Sequence, residues 1–161
     1  MKILVISDTH GNAGLLKQVI EAEGKPDLLL HLGDMLFEEE KIRAIAGCEL
    51  QAVRGNCDFS FDWPIETVTE IASHLVFMTH GHYYEVNYGT EELEEAAREA
   101  GADIVIYGHT HIPCYEIRED GLIVLNPGSL GRSRTYDGNQ YYAVMEIDNL
   151  TGKVTITHKT L

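Results

Sequence analysis

The chain opens with short apolar runs that each end in a polar turn, at residues 2–6, 28–30 and 50–53. Segments with helical spacing of apolar residues follow the first two runs and end near Gly24 and Gly47. Alternation of apolar strands with helices is typical of a parallel sheet that is covered on both faces. The first third of the chain therefore predicts an α/β fold.

The pattern changes after residue 65. Residues 90–100 predict a helix with Thr90 as its cap, Gly101 beyond its end and an acidic, solvated face. Further strands are predicted at residues 66–71, 75–79, 104–107, 115–118, 123–126, 141–147 and 154–158. Residues 127–139 form a polar, glycine-rich stretch that predicts a loop. We expect one domain over residues 1–161, built from two packed mixed sheets with helices on the outside.

Charge and cysteine content exclude several classes of function. The chain of 161 residues has 12 Lys and Arg against 26 Asp and Glu, a formal net charge of −14. Such a surface argues against binding to long nucleic acids or to anionic membranes. No apolar run approaches the ~18 residues of a membrane span, and the first run is too short for a signal peptide. Three well-separated cysteines favour reduced thiols, so we expect a cytoplasmic protein.

Potential metal ligands follow five of the apolar runs. In α/β sheets, the loops at the carboxyl ends of strands converge on one edge, where sites form. Carboxylate, amide and imidazole donors without a thiolate set suit Mn, Fe, Co, Ni or Zn. Seven ligands exceed the four of one tetrahedral ion, and with one bridging carboxylate they supply two ions. The seven are Asp8, His10, Asp34, Asn56, His80, His109 and His111.

Each cluster taken alone has a simpler explanation. An Asp after a strand is commonly a helix cap, and Gly-Asp or Gly-Asn is commonly a turn. A buried His is more often hydrogen-bonded than bound to metal. Turn chemistry does not explain the ordered set, in which histidines follow two separate apolar strands and Asp8-x-His10 follows a third.

The full order of motifs resembles the calcineurin-like metallophosphoesterase superfamily. The motifs are Asp8-x-His10, Gly33-Asp34, Gly55-Asn56-x-Asp58, His80-Gly81-His82 and Gly108-His109-x-His111. The chain length and the loop Asn126-Pro127-Gly128-Ser129 resemble its compact single-domain phosphodiesterase branch. The resemblance implies a four-layer αββα sandwich.

The resemblance also implies a ligand assignment and a reaction. Asp34 would bridge two divalent ions, and a hydroxide between the ions would attack the phosphorus of a small phosphodiester. Manganese is the first expectation for the metal, with nickel, cobalt, iron or zinc as alternatives. The first ion would take Asp8, His10, Asp34 and His111, and the second would take Asp34, Asn56, His80 and His109.

The chain departs from the family beside Asn56. Many members have a histidine at the next position, where it assists the leaving group, whereas this chain has Cys57. Cys57 is either a weak participant in catalysis or a small buried thiol. Asp58 loses the imidazole that it would orient, so its catalytic role in this chain is open.

Four further residues are candidates around the ions. His82 either faces the substrate or only neighbours a ligand. Ser129 and Arg132 are candidates for substrate binding, and Arg132 or Arg134 would meet a second phosphate group. His31 lies within an apolar run and is interpreted as a hydrogen-bonded core histidine.

A metal-dependent phosphodiesterase acting on small phosphoesters is therefore the leading hypothesis. The chain has no Gly-x-Ser-x-Gly, Walker or dinucleotide motif that would indicate another mechanism. The alternatives are a non-catalytic scaffold, as in the retromer subunit of this superfamily, and a nuclease acting on short oligonucleotides. Assembly into a homo-oligomer stays open.

Overall fold

A computed structural model describes residues 1–59 and 62–161 of the protein. Its helices are α1 (Gly14–Glu23), α2 (Glu39–Ala46) and α3 (Glu91–Glu99). The first five strands are β1 (Lys2–Ile6), β2 (Leu28–His31), β3 (Glu49–Ala52), β4 (Glu66–Ile71) and β5 (His74–Thr79). The last five are β6 (Ile104–Ile106), β7 (Cys114–Ile117), β8 (Ile123–Asn126), β9 (Tyr141–Ile147) and β10 (Val154–Thr160).

The strands form two mixed sheets of five. The first sheet has the order β10-β9-β1-β2-β3, and the second has the order β4-β5-β6-β8-β7. Strands β1, β2 and β3 are parallel, and so are β5, β6 and β8, whereas the outer pairings are antiparallel. The carboxyl ends of the parallel strands therefore lie along one edge of each sheet.

The alternation of side chains along β1 explains the layering of the first sheet. Ile3 and Val5 belong to the core that the two sheets share, whereas Leu4 and Ile6 pack in a separate core with α1 and α2. All four side chains are at most 2% exposed. Burial of such side chains stabilises the fold by about 1.5–3 kcal/mol each.

The second sheet repeats this arrangement with α3 on its outer face. Val76 and Met78 of β5 join the shared core, while Phe77 packs outward with Leu93 and Ala97 of α3. The order of layers is therefore helices, sheet, sheet, helix. The predicted αββα sandwich of two mixed sheets is confirmed.

Details of the region from β5 to α3 differ from the sequence-based expectations. A 3₁₀ turn, His82–Tyr84, follows β5. The Thr90 side chain does not cap α3, because its hydroxyl donates to Glu94 Oε1 at 2.7 Å. Glu94 is also not solvated: it is 6% exposed and accepts hydrogen bonds from the Arg118 guanidinium.

The structure of the described residues also concerns two earlier predictions, on membrane spans and on reduced cysteines. None of their helices has the length and apolar content needed to cross a membrane. Cys48, Cys57 and Cys114 are all free thiols, as the odd count and wide spacing predicted.

Candidate metal centre

The structure gathers the predicted ligands into one cleft at the carboxyl ends of five strands. The loops after β1, β2, β3, β5 and β6 each contribute at least one of them. The cleft has a volume of about 410 Å³, which is within the range of small-ligand sites. It is lined by His10, Asp34, Asn56, Cys57, His109, His111, Arg132, Ser133 and Arg134.

One group of ligand atoms lies around Asp8, which is fully buried. Asp8 Oδ1 is 3.1 Å from His111 Nε2 and 3.8 Å from His10 Nε2. The Nε2 atoms of His10 and His111 are 3.3 Å apart. Three donors so close together form a site of the size that a single metal ion requires.

A second group lies on the other side of Asp34. His80 Nε2 is 3.6 Å from Asp34 Oδ2 and 3.9 Å from Asp8 Oδ1. The same oxygen of Asp34 is 3.7 Å from His10 Nε2, so this carboxylate reaches both groups. The ring of His109 lies beside that of His80, with centroids 5.1 Å apart.

Backbone carbonyls fix the tautomers of two of these histidines. His80 Nδ1 is 2.5 Å from the carbonyl oxygen of Leu32, and His111 Nδ1 is hydrogen-bonded to the carbonyl oxygen of Arg132. Because a carbonyl only accepts, the proton of each neutral ring is assigned to Nδ1. The Nε2 atoms then present lone pairs, which is the arrangement found in metal-bound histidines.

These lone pairs face other atoms that carry no proton. Asp8 Oδ1 and His80 Nε2 are buried and have no hydrogen-bond partner among the described residues. A buried polar atom without a partner costs about 1–3 kcal/mol. A cation between these atoms would satisfy them together, so the residues present fit the divalent ions that the sequence predicts.

The pKa values favour ligand-competent forms. Burial raises the pKa of Asp8, but contacts with His111, His80 and Ser7 outweigh it and bring the value to about 2. Burial lowers the pKa of both His10 and His109. Asp8 is therefore ionised and these imidazoles are neutral at pH 7, the forms that bind metal.

The backbone at the ligands is unusual. Five of the seven residues have a left-handed φ between 46° and 67°, a conformation that non-glycine residues rarely adopt. Such strained conformations cluster at functional sites. The five residues are Asp8, His10, Asp34, His109 and His111.

Glycines beside the ligands are required by close packing at two positions. A Cβ on Gly108 would lie 2.1 Å from Ser7 Oγ and 3.1 Å from Asp8 Oδ2. A Cβ on Gly55 would lie 2.1 Å from Asp34 Oδ1. Larger residues at either position would displace a ligand carboxylate.

Asp58, whose catalytic role the sequence left open, is bound to backbone amides. Its Oδ2 accepts hydrogen bonds from the amides of Asp34 and Gly55, each at 2.8 Å, and its Oδ1 accepts one from the amide of Leu36 at 2.7 Å. Both oxygens are thus engaged by the backbone. Asp58 joins the loop that carries Asp34 to the loop that carries Asn56, and so positions ligands.

Cys57 lines the cleft beside two predicted ligands. Its amide donates to Asp34 Oδ1 at 2.8 Å, and its sulfur accepts a hydrogen bond from the side chain of Asn56 at 3.3 Å. Burial and the neighbouring Asp34 raise the pKa of the thiol to about 11. Cys57 is therefore a protonated thiol at the position where the family often has an imidazole.

His82 lies next to ligands and is not a lining residue of the cleft. Its ring centroid is 5.4 Å from that of His80 and 6.1 Å from that of His109. Burial, with His80 and His109 nearby, lowers its pKa to about 4. Of the two interpretations open for His82, this placement favours that of a neighbour to a ligand.

Ser129 does not reach the cleft, contrary to its predicted role in substrate binding. It is fully buried, its hydroxyl donates to the carbonyl of Asp8 at 3.0 Å, and it accepts from the amide of Arg132 at 2.7 Å. Ser129 therefore holds the loop that presents Arg132.

His31 has the structural role expected of it. It is fully buried, accepts a hydrogen bond from the amide of Gly33 at Nδ1, and is 3.2 Å from the Thr9 hydroxyl at Nε2. Burial lowers its pKa to about 4, so the ring is neutral. The interpretation as a hydrogen-bonded core histidine is confirmed.

The fold and this donor set define the class of protein. Residues 1–150 match the calcineurin-like phosphoesterase superfamily domain, and the chain belongs to this family. The chain is 33% identical to the probable metallophosphoesterase YsnB of Bacillus subtilis, over 92% of this chain and 86% of that protein. It is 30% identical to the phosphodiesterase YfcE of Escherichia coli, over 81% of this chain and 79% of that protein.

Solved structures agree with this family. A structure from Streptococcus pneumoniae, described as a predicted phosphoesterase, is 29% identical, with a TM-score of 0.79 over 98% of this chain and 97% of that one. Vps29 of Entamoeba histolytica, solved with zinc, is 23% identical, with a TM-score of 0.78 over 99% of both chains. At that identity, the likeness to Vps29 extends to the fold alone.

Proposed function

We propose that this protein is a phosphodiesterase that holds two divalent ions and hydrolyses small phosphodiesters. The observation that carries the proposal is the convergence of potential ligand atoms of Asp8, Asp34 and His80, of which Asp8 Oδ1 and His80 Nε2 are buried without a partner among the described residues. Relatives named metallophosphoesterase and phosphodiesterase support the same reaction class. Manganese suits these hard and borderline donors, with nickel, cobalt, iron and zinc as alternatives.

The two groups of donors suggest how the ions divide the ligands. Asp34 is the proposed bridge, since one of its oxygens lies within 3.7 Å of both His10 Nε2 and His80 Nε2. The first ion is assigned to Asp8, His10, Asp34 and His111. The second is assigned to Asp34, Asn56, His80 and His109.

Bound divalent ions supply a water molecule of lowered pKa and positive charge for the phosphoryl oxygens. The chain's own residues keep the ligand atoms in place. The carbonyls of Leu32 and Arg132 orient the imidazoles of His80 and His111, and Asp58 anchors the amide of Asp34. The guanidinium of Arg132 at the rim of the cleft is proposed to bind the substrate.

The residue beside Asn56 governs the choice of leaving group. A thiol is a weak hydrogen-bond donor, and Cys57 already accepts a bond from Asn56. We therefore propose that Cys57 contributes little acid catalysis. Aryl oxides, which leave without a proton, would be preferred over alkoxides.

The size and charge of the protein favour small substrates. A cleft of about 410 Å³ accepts a small diester or monoester, whereas a net charge of −14 repels long polyanions. A nuclease acting on more than short oligonucleotides is thereby disfavoured. All seven ligand positions carry competent donors, which favours an enzyme over a scaffold.

We propose the domain organisation, cellular location and assembly of the enzyme from three observations. The sheets share one core, which supports a single domain over residues 1–161. The three free thiols support a cytoplasmic location. Strands β3, β4, β7 and β10 are sheet edges on which a homo-oligomer could form, and light scattering would measure it.

A combined metal and activity measurement tests the proposal. The purified protein is assayed on aryl phosphodiesters, alkyl phosphodiesters, monoesters and plasmid DNA, with Mn, Ni, Co, Zn and Mg supplied in turn, and its metal content is determined by mass spectrometry. We expect two ions per chain, rapid hydrolysis of aryl diesters and little cleavage of plasmid. Full activity in excess chelator would contradict the metal mechanism, and plasmid cleavage as fast as that of small diesters would contradict the substrate class.

A further inference from the structure

Among the residues that the structure describes, two arginines on the wall of the cleft have no acidic partner. Within residues 1–59 and 62–161, neither Arg132 nor Arg134 forms an ion pair with a carboxylate, although acidic residues outnumber basic ones by more than two to one. By contrast, Arg43, Arg98 and Arg118 each pair with Asp or Glu. Because other arginines do form ion pairs with acidic residues on this surface, the lack of such pairs at Arg132 and Arg134 within the described residues is unusual.

The acidic residue on the same loop is engaged elsewhere. The Asp137 carboxylate accepts hydrogen bonds from the hydroxyls of Thr135 at 2.6 Å and Tyr141 at 2.8 Å, and from Asn139. The Thr135 hydroxyl is in turn 2.6 Å from that of Ser133. These bonds order the loop without neutralising its arginines.

The backbone of this loop is tied to two predicted metal ligands. The carbonyl of Arg132 accepts the hydrogen bond of His111 Nδ1, and the amide of Arg132 donates to Ser129 Oγ. Arg134 Nη1 lies 3.5 Å from the carbonyl of His109. The backbone of Arg132 and the guanidinium of Arg134 are therefore tied to predicted metal ligands, which lowers part of the entropy that binding an anion would cost.

The reacting group of a simple phosphodiester does not require the positive charge of both arginines. Its phosphoryl group carries one negative charge, which two divalent ions already match. Arginine pairs phosphate oxygens with two parallel hydrogen bonds, and two adjacent arginines suit a dianionic terminal phosphate. We propose that Arg132 and Arg134 form a subsite for a second phosphoryl group, so that the natural substrate is a small phosphodiester that also bears a phosphate monoester. This inference rests on the proposed function of the same cleft.

A series of paired substrates tests the subsite. Each is a 4-nitrophenyl phosphodiester whose other alcohol is a straight chain of two, three or four carbons, ending in either a hydroxyl or a phosphate. With Mn, Ni, Co, Zn and Mg supplied in turn, kcat/KM is measured for each pair with the native protein. We expect the terminal phosphate to raise kcat/KM by about tenfold or more at one chain length at least.

Variants distinguish a specific phosphate subsite from the electrostatic effect of the whole protein. Arg132→Ala combined with Arg134→Ala should bring the ratio within each pair to about one, and the double Lys variant should restore part of it, because Lys keeps the charge but loses the paired bonds. The matched control is Lys17→Ala combined with Lys25→Ala, which removes the same charge outside the cleft and should keep the preference.

The outcomes are decisive in each direction. Turnover of the hydroxyl substrates without a preference for phosphate at any chain length overturns the subsite and leaves the proposed function standing. A preference that survives the double Ala variant, or that the lysine control also loses, overturns the subsite as well. Failure of the native protein to turn over either member of any pair with any metal overturns the proposed function, and the subsite with it.

Discussion

The Asp58 carboxylate holds two ligand-bearing loops together, and its loss should be measurable as lost stability. It accepts three backbone hydrogen bonds, from the amides of Asp34, Leu36 and Gly55, at 2.7–2.8 Å. A hydrogen bond to a charged group contributes about 1.5–3 kcal/mol. Because one half-buried group makes all three, we discount the sum and expect Asp58→Ala to cost about 3 kcal/mol. For a chain of this size that lowers Tm by ~6–12 °C.

The assay is thermal and urea denaturation of the metal-free protein in excess chelator, so that ion binding does not contribute. Asp58→Asn is the matched variant, since it keeps the size and one acceptor oxygen, and about half the loss is expected. The urea m value should stay unchanged, because the same surface is exposed on unfolding. A loss below about 0.5 kcal/mol for Asp58→Ala would refute the role of Asp58 in joining the loops.

Three further predictions concern the centre and a distant histidine. Asp34→Asn should cost more activity than any change at a single-ion ligand, and chelator should lower the Tm of the native protein but not of this variant, as calorimetry with and without Mn²⁺ would show. Cys57→Ala should keep kcat/KM for aryl diesters within about tenfold (~1.4 kcal/mol of barrier), and complete loss with unchanged metal content would reveal a direct role of the thiol. Burial lowers the pKa of His74, but its hydrogen bonds to the Gly152 carbonyl and to Asp103 raise it overall. The protonated form therefore stabilises the fold fully below the unfolded pKa of about 6.5, and this contribution is lost as the pH rises through the folded pKa. His74→Ala should destabilise the protein by about 1 kcal/mol near pH 5.5 and by much less near pH 9, and equal losses at both pH values in urea titrations would contradict this.

The strands were predictable because their burial follows directly from side-chain chemistry. Continuous apolar runs such as that of β1 are required when both faces of a sheet are covered, and the predicted bounds of β1, β4, β8 and β9 equal the observed ones. The rule that sites form at the carboxyl ends of strands then predicted that the loops with Asp8 and His80 lie close together. For these strands and loops, the local sequence pattern was enough to predict their place in the folded protein.

Other features depend on contacts that no local pattern encodes. The burial of Glu94 requires Arg118, which is 24 residues away in the sequence and directly follows β7. Likewise, the burial of Ser129 could not be predicted, because its hydroxyl bonds to the carbonyl of Asp8, 121 residues away in the sequence. The positioning role of Asp58 could not be predicted for the same reason, since its partners are backbone amides, which are identical in every sequence.

The left-handed backbone at five predicted ligand positions has a consequence for the evolution of this fold. A non-glycine residue in that conformation costs of order 1–3 kcal/mol, and glycine relieves the cost. Replacing His10 or His109 by glycine would remove a proposed metal ligand yet stabilise the metal-free chain. Under the proposed function, selection for stability alone would therefore favour loss of these ligands, and selection for catalysis would be needed to retain them. Lineages that give up the chemistry can retain a sound scaffold, with glycine or asparagine marking the former ligands.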